Sequence, residues 1–516
     1  MKLLVLILLF NFKFSNIYGA RILAVFPIPS ISHQIVFRPI IKELLKRGHE
    51  LVVITPDPAF PKGKAPVNLT EVDVHDLSYS SWERFIQRSE DTGSIWADKV
   101  VFILSVIEQV FEEQMISEQV INLLKQNEKF DLILVEACVR MTLGLSHVFK
   151  APMIQISSFG SPFKNSESIG TPFHPFLYPS VFRHRINDLN IWEKLTELYN
   201  EFVFHNRLKS NEIHENKIMK RLFGEDTPTL QELFKKVEML LLNVHAIWEN
   251  NRPVSPNVIY LGGLHQNDKK DLPKDLQKYL DSSVNGVIYV SFGTNVRPSL
   301  LPLEKIKILT EVFSELPYDV IFKWDKDELP GQTRNIRIFK WVPQADLLRH
   351  RNIKLFITQG GLQSTDEAIT AGVPLLGIPI FADQWYNIEK YEKFKIGRGL
   401  NMDTLNKETL AAAITSLIED ESYRRNIERL RTIMNDQPMR PLDRAVWWIE
   451  HVLRFGGAAH LKSAGAHVTW SEYFELDILI ILILLTFISL ILSSLFCIAA
   501  WKFLSKYIWN VKLKTF

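Results

Sequence analysis

The sequence predicts an α/β protein: two doubly wound, Rossmann-like domains facing each other across a cleft, followed by one C-terminal transmembrane helix. Three observations predict it. A strand–helix–strand pattern opens the chain behind an apolar leader, a second strand–helix series starts at Gly286, and an uncharged run lies near the C-terminus. With 516 residues, 47% of them hydrophobic, the chain is long enough for roughly two or three domain cores. Its 60 basic and 58 acidic side chains leave a net charge of +2, so nothing marks a nucleic-acid-binding surface.

Residues 1–19 carry Lys2, an apolar run and then small residues, the pattern of a cleaved secretory signal. The first domain is expected over 20–250. Arg21–Pro27 reads as a buried strand, Gln34–Arg47 as a helix with apolar positions at Phe37, Ile40, Ile41, Leu44 and Leu45, and Glu50–Thr55 as the next strand. The first loop, Ile28-Pro29-Ser30-Ile31-Ser32-His33, has no glycine. A dinucleotide cradle needs glycines there, so no nucleotide is expected in this half. Stretches around 80–125 and 160–240 read as helical and aromatic-rich.

Residues 251–284, rich in Pro, Asn, Asp and Lys, read as a connector. The second domain is expected over 285–455, with strands at Val287–Ser291, Val320–Trp324, Ile336–Lys340, Ile353–Thr358 and Pro374–Ile380. A juxtamembrane segment (456–477), a span (478–501) and a basic tail (502–516) complete the chain. The span holds 24 residues without a charge, enough at about 1.5 Å per residue to cross a hydrocarbon core of about 30 Å. Glu472, Glu475 and Asp477 precede it, whereas Lys502, Lys506, Lys512 and Lys514 follow with no acid, which places the tail in the cytosol and the bulk in the lumen. The sequon at Asn68-Leu69-Thr70 is usable there. Cys138 lies in the lumenal part and Cys497 in the span, so no internal disulfide is expected. The ending Lys512-Leu513-Lys514-Thr515-Phe516 resembles dilysine signals that return membrane proteins to the endoplasmic reticulum; topology alone also yields a basic tail.

The segment from Phe339 to Leu400 carries the most chemistry. A strand turning through Gln359-Gly360-Gly361 into a helix presents unpaired N–H groups and a positive dipole end, where a pyrophosphate can sit. Alone, that turn is equally an ordinary strand–helix connection. Around it stand Trp341, Glu367 and the Asp383-Gln384 pair. The spaced set resembles the donor-binding signature of the UDP-glycosyltransferases, the family that includes the UDP-glucuronosyltransferases, and the similarity resumes from Asp436 to Ala445. The form Gln359-Gly360-Gly361-Leu362-Gln363-Ser364 is most similar to insect members and to baculoviral ecdysteroid glucosyltransferases; vertebrate members usually have His at the place of Gln359. The anchor favours a cellular, insect-type protein.

The resemblance implies a GT-B arrangement of the two domains and an inverting transfer of sugar from a UDP-sugar to a small lipophilic acceptor, as in detoxification or metabolite conjugation. Trp341 would stack on uracil beside Gln344. Ser291, Gly293 and Thr294 would contact phosphate, completed by Gln359, Gly361, Gln363 and Ser364. Glu367 would hold the ribose, Asp383 and Gln384 the sugar, and Lys323 stands where vertebrate relatives often have Arg. His33 matches the family's base, and Glu136, closing the stretch from Phe130, replaces the usual Asp as its partner, with a reach about 1.5 Å longer. Glucose is the expected sugar and glucuronic acid the alternative; a non-catalytic UDP-sugar or lipophile binder is the remaining one. UDP-sugar is a co-substrate, and no cofactor or metal is expected. Expected partners are the donor, the acceptor and membrane lipid, with no nucleic acid; homo-oligomerisation stays open. The expected location is the endoplasmic-reticulum membrane, single-pass type I.

Overall fold

A computed structural model describes residues 19–86, 96–126, 128–466 and 468–514; the expected signal segment up to residue 18 lies outside the described residues. The first half supplies strands β1 (Arg21–Val25), β2 (Glu50–Thr55), β3 (Leu69–Asp73), β4 (Leu132–Glu136), β5 (Met153–Ser157), β6 (Val237–Leu242) and β7 (Val258–Tyr260). They form a parallel sheet in the order β3-β2-β1-β4-β5-β6-β7. The second half supplies β8 (Val287–Ser291), β9 (Asp319–Lys323), β10 (Ile336–Phe339), β11 (Ile353–Thr358), β12 (Leu375–Gly377) and β13 (Gly397–Gly399). These are also parallel, in the order β10-β9-β8-β11-β12-β13. Helices cover both faces, so the central strands are apolar throughout rather than alternating, as in Leu132–Val135 and Val287–Val290. Both expected doubly wound domains are present.

Several boundaries move, for local reasons. The first helix runs Ile31–Lys46, because Ser30 is extended (φ −149°) and serves as its N-cap. His33, expected in the loop, therefore stands in the first helical turn. Between residues 160 and 190 the one helix is Asn165–Ser168. Pro162, Pro172, Pro175 and Pro179 lie in this stretch, and Phe163, Lys164 and Asp188 take left-handed backbone angles. Regular helix resumes at Ile191–Phe223, opened by a capping box between Asn190 and Glu193. Strand β12 stops at Gly377, and the N–H groups of Ile380 and Phe381 go instead to the side-chain oxygen of Gln384, at 2.7 and 2.9 Å.

The two halves exchange pieces. The stretch read as a connector contains β7, the edge strand of the first sheet, and a helix at Lys274–Ser282. The helix Pro441–Phe455 buries Ala445, Val446, Ile449 and Val452 in the same apolar cluster as Phe37, Ile40 and Leu44 of the first domain. Arg47 reaches Glu450 on it at 3.0 Å. The second stretch of family similarity, Asp436 to Ala445, is thus where the chain returns to the first domain.

Residues as far as Lys462 form one compact unit and Ser463–Phe516 a second. The second contains the helix Leu476–Lys514, whose part from Leu476 to Asn510, with a mean hydropathy of 3.0 over its most apolar 18 residues, is long and apolar enough to cross a membrane. Cys138 is buried and free, and Cys497 is free.

Candidate active site

Strands β1 and β4 are neighbours at the reversal of strand order in the first sheet, and β8 and β11 at that of the second. A crevice opens beyond the carboxyl ends of such strands. The segments following β1, β8 and β11, with Phe159 beyond β5, line one cavity of about 320 Å³. His33 and Phe159 line it from the first half, and Gly293, Lys323, Trp341, Gln359, Glu367 and Asp383 from the second.

His33 Nδ1 lies 2.5 Å from Glu136 Oε1 and 3.1 Å from Ser158 Oγ. Glu136 is fully buried, and its other oxygen accepts from the Ile28 N–H at 3.2 Å. A carboxylate facing a ring nitrogen accepts its proton, so Nδ1 carries hydrogen and Nε2 is the nitrogen left for a ligand. Phe159 stands edge-on to the imidazole, with ring centroids 6.0 Å apart. With Ile31, Ile35 and Phe381 it makes the adjoining wall apolar.

On the other side, the helix Leu362–Ala371 starts at Gly361 and directs its N-terminus into the cavity. Gly293 has φ +78°, and a Cβ there would lie 2.2 Å from Gln359 Nε2; only glycine lets these two turns meet. Gln359 Oε1 is buried without a protein partner. Lys323 Nζ donates to the Gly293 carbonyl at 2.8 Å and lies 4.7 Å from the Trp341 ring centroid. Burial lowers the Lys323 pKa to about 8. Trp341 is 63% exposed, which excludes a core role and suits a stacking platform. Gln344 links Tyr289 OH (3.0 Å), Ser364 Oγ (2.9 Å) and Glu367 Oε2 (2.7 Å). Glu367 faces the cavity but lies deep in the protein, and burial raises its pKa to about 7.

The helix Gln384–Lys393 begins with the two residues expected to meet the sugar, Asp383 and Gln384. Asp383 holds the N-cap position without a side-chain capping bond; its Oδ2 accepts from Asn387 Nδ2 at 2.8 Å instead. Burial raises the Asp383 pKa to about 6, and the nearby His33 opposes this. Gln384 spends its oxygen on two backbone N–H groups, leaving its Nε2 for a ligand.

Two residues expected to touch phosphate are engaged elsewhere. Ser291 is buried behind the cavity wall, its hydroxyl accepting from the Gly293 N–H at 3.3 Å. Gln363 lines the cavity but donates across the cleft to the Ser158 carbonyl at 2.9 Å. Thr294 and Ser364 lie on the cavity wall. Sequence reasoning missed Ser158, Tyr289, Asn387 and His265. The last comes from the supposed connector; it is buried, bonded by Nε2 to the Gln363 carbonyl at 3.2 Å, and held neutral with its pKa near 4. Its signal was a Gly-Gly-Leu-His run ending in a cavity-facing imidazole. Asn68 is not among the cavity residues; its Nδ2 donates to the Leu45 and His49 carbonyls at 3.1 and 2.8 Å.

Among the described residues, His33, Glu136 and Cys138 bring ligand atoms within 4.8 Å of one another. Burial and the Glu136 charge push the Cys138 thiol up, so it stays protonated. The His33–Glu136 hydrogen bond occupies the donors a cation would need, which suits an acid–base pair better than a metal.

A sequence model of the family described as "UDP-glucoronosyl and UDP-glucosyl transferase" matches residues 21–508. The chain is similar to the ecdysteroid UDP-glucosyltransferase of Spodoptera littoralis nuclear polyhedrosis virus: 37% identical over 522 residues, 96% of this chain and 100% of that protein. It is also similar to UDP-glucosyltransferase 2 of Dactylopius coccus, 33% identical over 489 residues, 93% of each chain. Among solved structures, the calicheamicin glycosyltransferase shares the fold with a TM-score of 0.58 at 16% identity, covering 84% of this chain and 98% of that one. Two facing Rossmann-like domains of the GT-B type are therefore the fold of this chain.

Asp366, beside Glu367, is buried with Oδ2 unpartnered, and burial followed by the Glu367 charge raises its pKa to about 8. The fold thus favours the protonated acid. Its contribution to stability is complete below the unfolded pKa of about 4 and is lost as pH rises through about 8. Asp366→Asn removes that loss. Thermal unfolding of the full chain in detergent should show a midpoint raised by several degrees at pH 8, with the gain shrinking toward pH 5. A gain independent of pH would contradict the assignment.

Proposed function

The chain belongs to the UDP-glucoronosyl and UDP-glucosyl transferase family and is a UDP-glycosyltransferase, and from that premise we propose that it transfers glucose from UDP-glucose to a hydroxyl of a small lipophilic acceptor, with inversion. The observation that carries the reading is the His33–Glu136 pair opening onto the cavity that also holds Glu367 and Asp383.

In the proposed step the acceptor oxygen attacks the anomeric carbon while its proton passes to His33 Nε2. The new C–O bond forms as the bond to the phosphate oxygen breaks, and UDP leaves with that electron pair. Glu136, hydrogen-bonded to Nδ1, stabilises the imidazolium as it forms. The helix N–H groups at Gly361, with Gln359 and Thr294, receive the charge on the leaving diphosphate. Trp341 stacks on the uracil, Glu367 accepts from the ribose hydroxyls, and Asp383 with the Gln384 amide holds the sugar. No metal or other cofactor enters the step.

Glucose is favoured because, among the described residues, Lys323 is the single Lys or Arg on the cavity wall, and it is bound to the phosphate-side turn. A uronate carboxylate beside Asp383 would meet an acid and no such cation. The relatives named as UDP-glucosyltransferases support the same choice. The apolar wall of Ile31, Ile35, Phe159 and Phe381 supports a lipophilic acceptor, and conjugation of such compounds is the role that follows. With a panel of phenols, UDP-glucose should be turned over faster than UDP-glucuronate. His33→Ala should lower that turnover by roughly 10²–10⁴-fold while UDP affinity stays unchanged. Preference for UDP-glucuronate would reverse the donor assignment, and undiminished turnover would remove His33 from the mechanism.

The proposed setting is the endoplasmic-reticulum membrane, with the catalytic unit lumenal and the lysine-rich end cytosolic, supported by the apolar helix and the charge asymmetry about it. A glycan on Asn68 would replace one N–H donor that the fold uses. Protease added to sealed microsomes should shorten the chain by only about 2 kDa. Digestion of the catalytic unit would contradict the orientation.

A further inference from the structure

The clamp acid Asp383 is held by a residue that also touches the other domain. Asn387 is buried, as is Trp248, which lies 139 positions earlier, beyond β6. The Asn387 Oδ1 accepts from the Trp248 indole N–H at 2.8 Å. Its Nδ2 donates both hydrogens, to Asp383 Oδ2 at 2.8 Å and to the Gly360 carbonyl at 2.8 Å. An indole nitrogen only donates, and a carbonyl or carboxylate only accepts. One orientation of the Asn387 amide therefore satisfies all three partners, and a flip loses all three at once, in a place closed to water.

Further contacts of the helix Gln384–Lys393 come from the same quarter. Tyr386 OH donates to the Trp248 carbonyl at 3.0 Å, and the Trp248 ring stacks on Phe394 with centroids 5.7 Å apart. Lys390 and Lys393 both donate to Asn250 Oδ1, at 2.5 and 2.8 Å. Farther round, Glu389 accepts from the Ile186 and Asn187 N–H groups at 3.0 and 3.1 Å, and Trp385 stacks on His184 at 4.1 Å. The helix that begins with the sugar clamp is thus gripped by two segments of the first domain.

We propose that Asn387 is a positioning residue through which the docking of Trp248 sets the orientation of Asp383, so that the grip on the donor sugar, as distinct from the grip on UDP, depends on the two domains being together. The proposal rests on the reading that Asp383 holds the sugar. With Oδ2 fixed by Asn387, Oδ1 is left for the ligand, and the same amide ties the clamp to the Gly360 turn that starts the phosphate cradle. Loss of the Trp248 N–H frees the Asn387 amide to turn and lets Asp383 drift from the sugar. On the phosphate side Asn387 touches only the Gly360 carbonyl, an acceptor that cannot bind phosphate, so the phosphate, ribose and base contacts remain.

Three variants of the full chain test this: Trp248→Phe, which keeps a ring and removes the N–H; Asn387→Leu, which keeps the volume; and Asp383→Asn as the reference for the clamp. For each, kcat/KM is measured with UDP-glucose, and the inhibition constant is measured with UDP, which lacks the sugar. Trp248→Phe should lower kcat/KM by about 10- to 100-fold, as expected for a misplaced positioning group, with the UDP constant unchanged within about 3-fold. Asn387→Leu, where it folds, should show the same pattern. An unchanged kcat/KM in Trp248→Phe while Asp383→Asn is impaired overturns the relay alone. Parallel loss of UDP affinity in Trp248→Phe overturns it too, because the whole groove then depends on the tryptophan. An unimpaired Asp383→Asn sinks the clamp reading, and the relay with it.

Discussion

The site depends on a constraint of parallel sheets. Where strand order reverses, the connections leaving two neighbouring strands run to opposite faces and part at the carboxyl ends. In this chain that happens twice, between β1 and β4 and between β8 and β11. The first reversal brings His33, in the first turn of the helix that follows β1, beside Glu136 at the end of β4; the second brings together the Gly293 and Gln359 turns that follow β8 and β11. Because the sheets face each other, an acid–base pair and an anion cradle share one cavity although neither half contains both. The helix Pro441–Phe455, packed on the first domain, helps hold them in that relation.

Burial sets the chemistry inside this frame. Glu367, Asp383 and Lys323 sit where desolvation moves each toward its neutral form, with pKa values near 7, 6 and 8. Each keeps at least one polar partner and a face to the cavity, so a ligand can complete what the protein leaves unfinished. The unpartnered Gln359 oxygen fits the same description. Asp366 is the contrast: equally desolvated, it is absent from the cavity wall, so its cost falls on stability. Neighbours in one helix thus differ in consequence because their side chains point in different directions.

What the sequence made legible follows from how local each feature is. Strands β2, β8 and β11 were bounded correctly because their apolar runs end at turn residues. Glycine positions around Gln359 were readable because only glycine permits the φ of Gly293 and Gly360. Roles that depend on contacts across the cleft were not readable. Gln363 looked like a phosphate ligand but reaches the Ser158 carbonyl, 205 positions away. Ser291 looked the same but turns into its own loop. Strand β7 was hidden in a polar stretch because an edge strand of three residues has almost no periodicity. The pairing of His33 with Glu136 needed the family resemblance, since their 103-residue separation carries no local signal.

The central claim is that an acceptor held by His33 and a donor held by the second sheet meet at one carbon, with base and leaving group on opposite sides. Its most direct test is the configuration of the first-formed product, read by proton NMR with UDP-α-D-glucose as donor. Attack from the His33 side in a single displacement gives a β-linked glucoside. An α-linked product formed before any anomerisation would contradict the account.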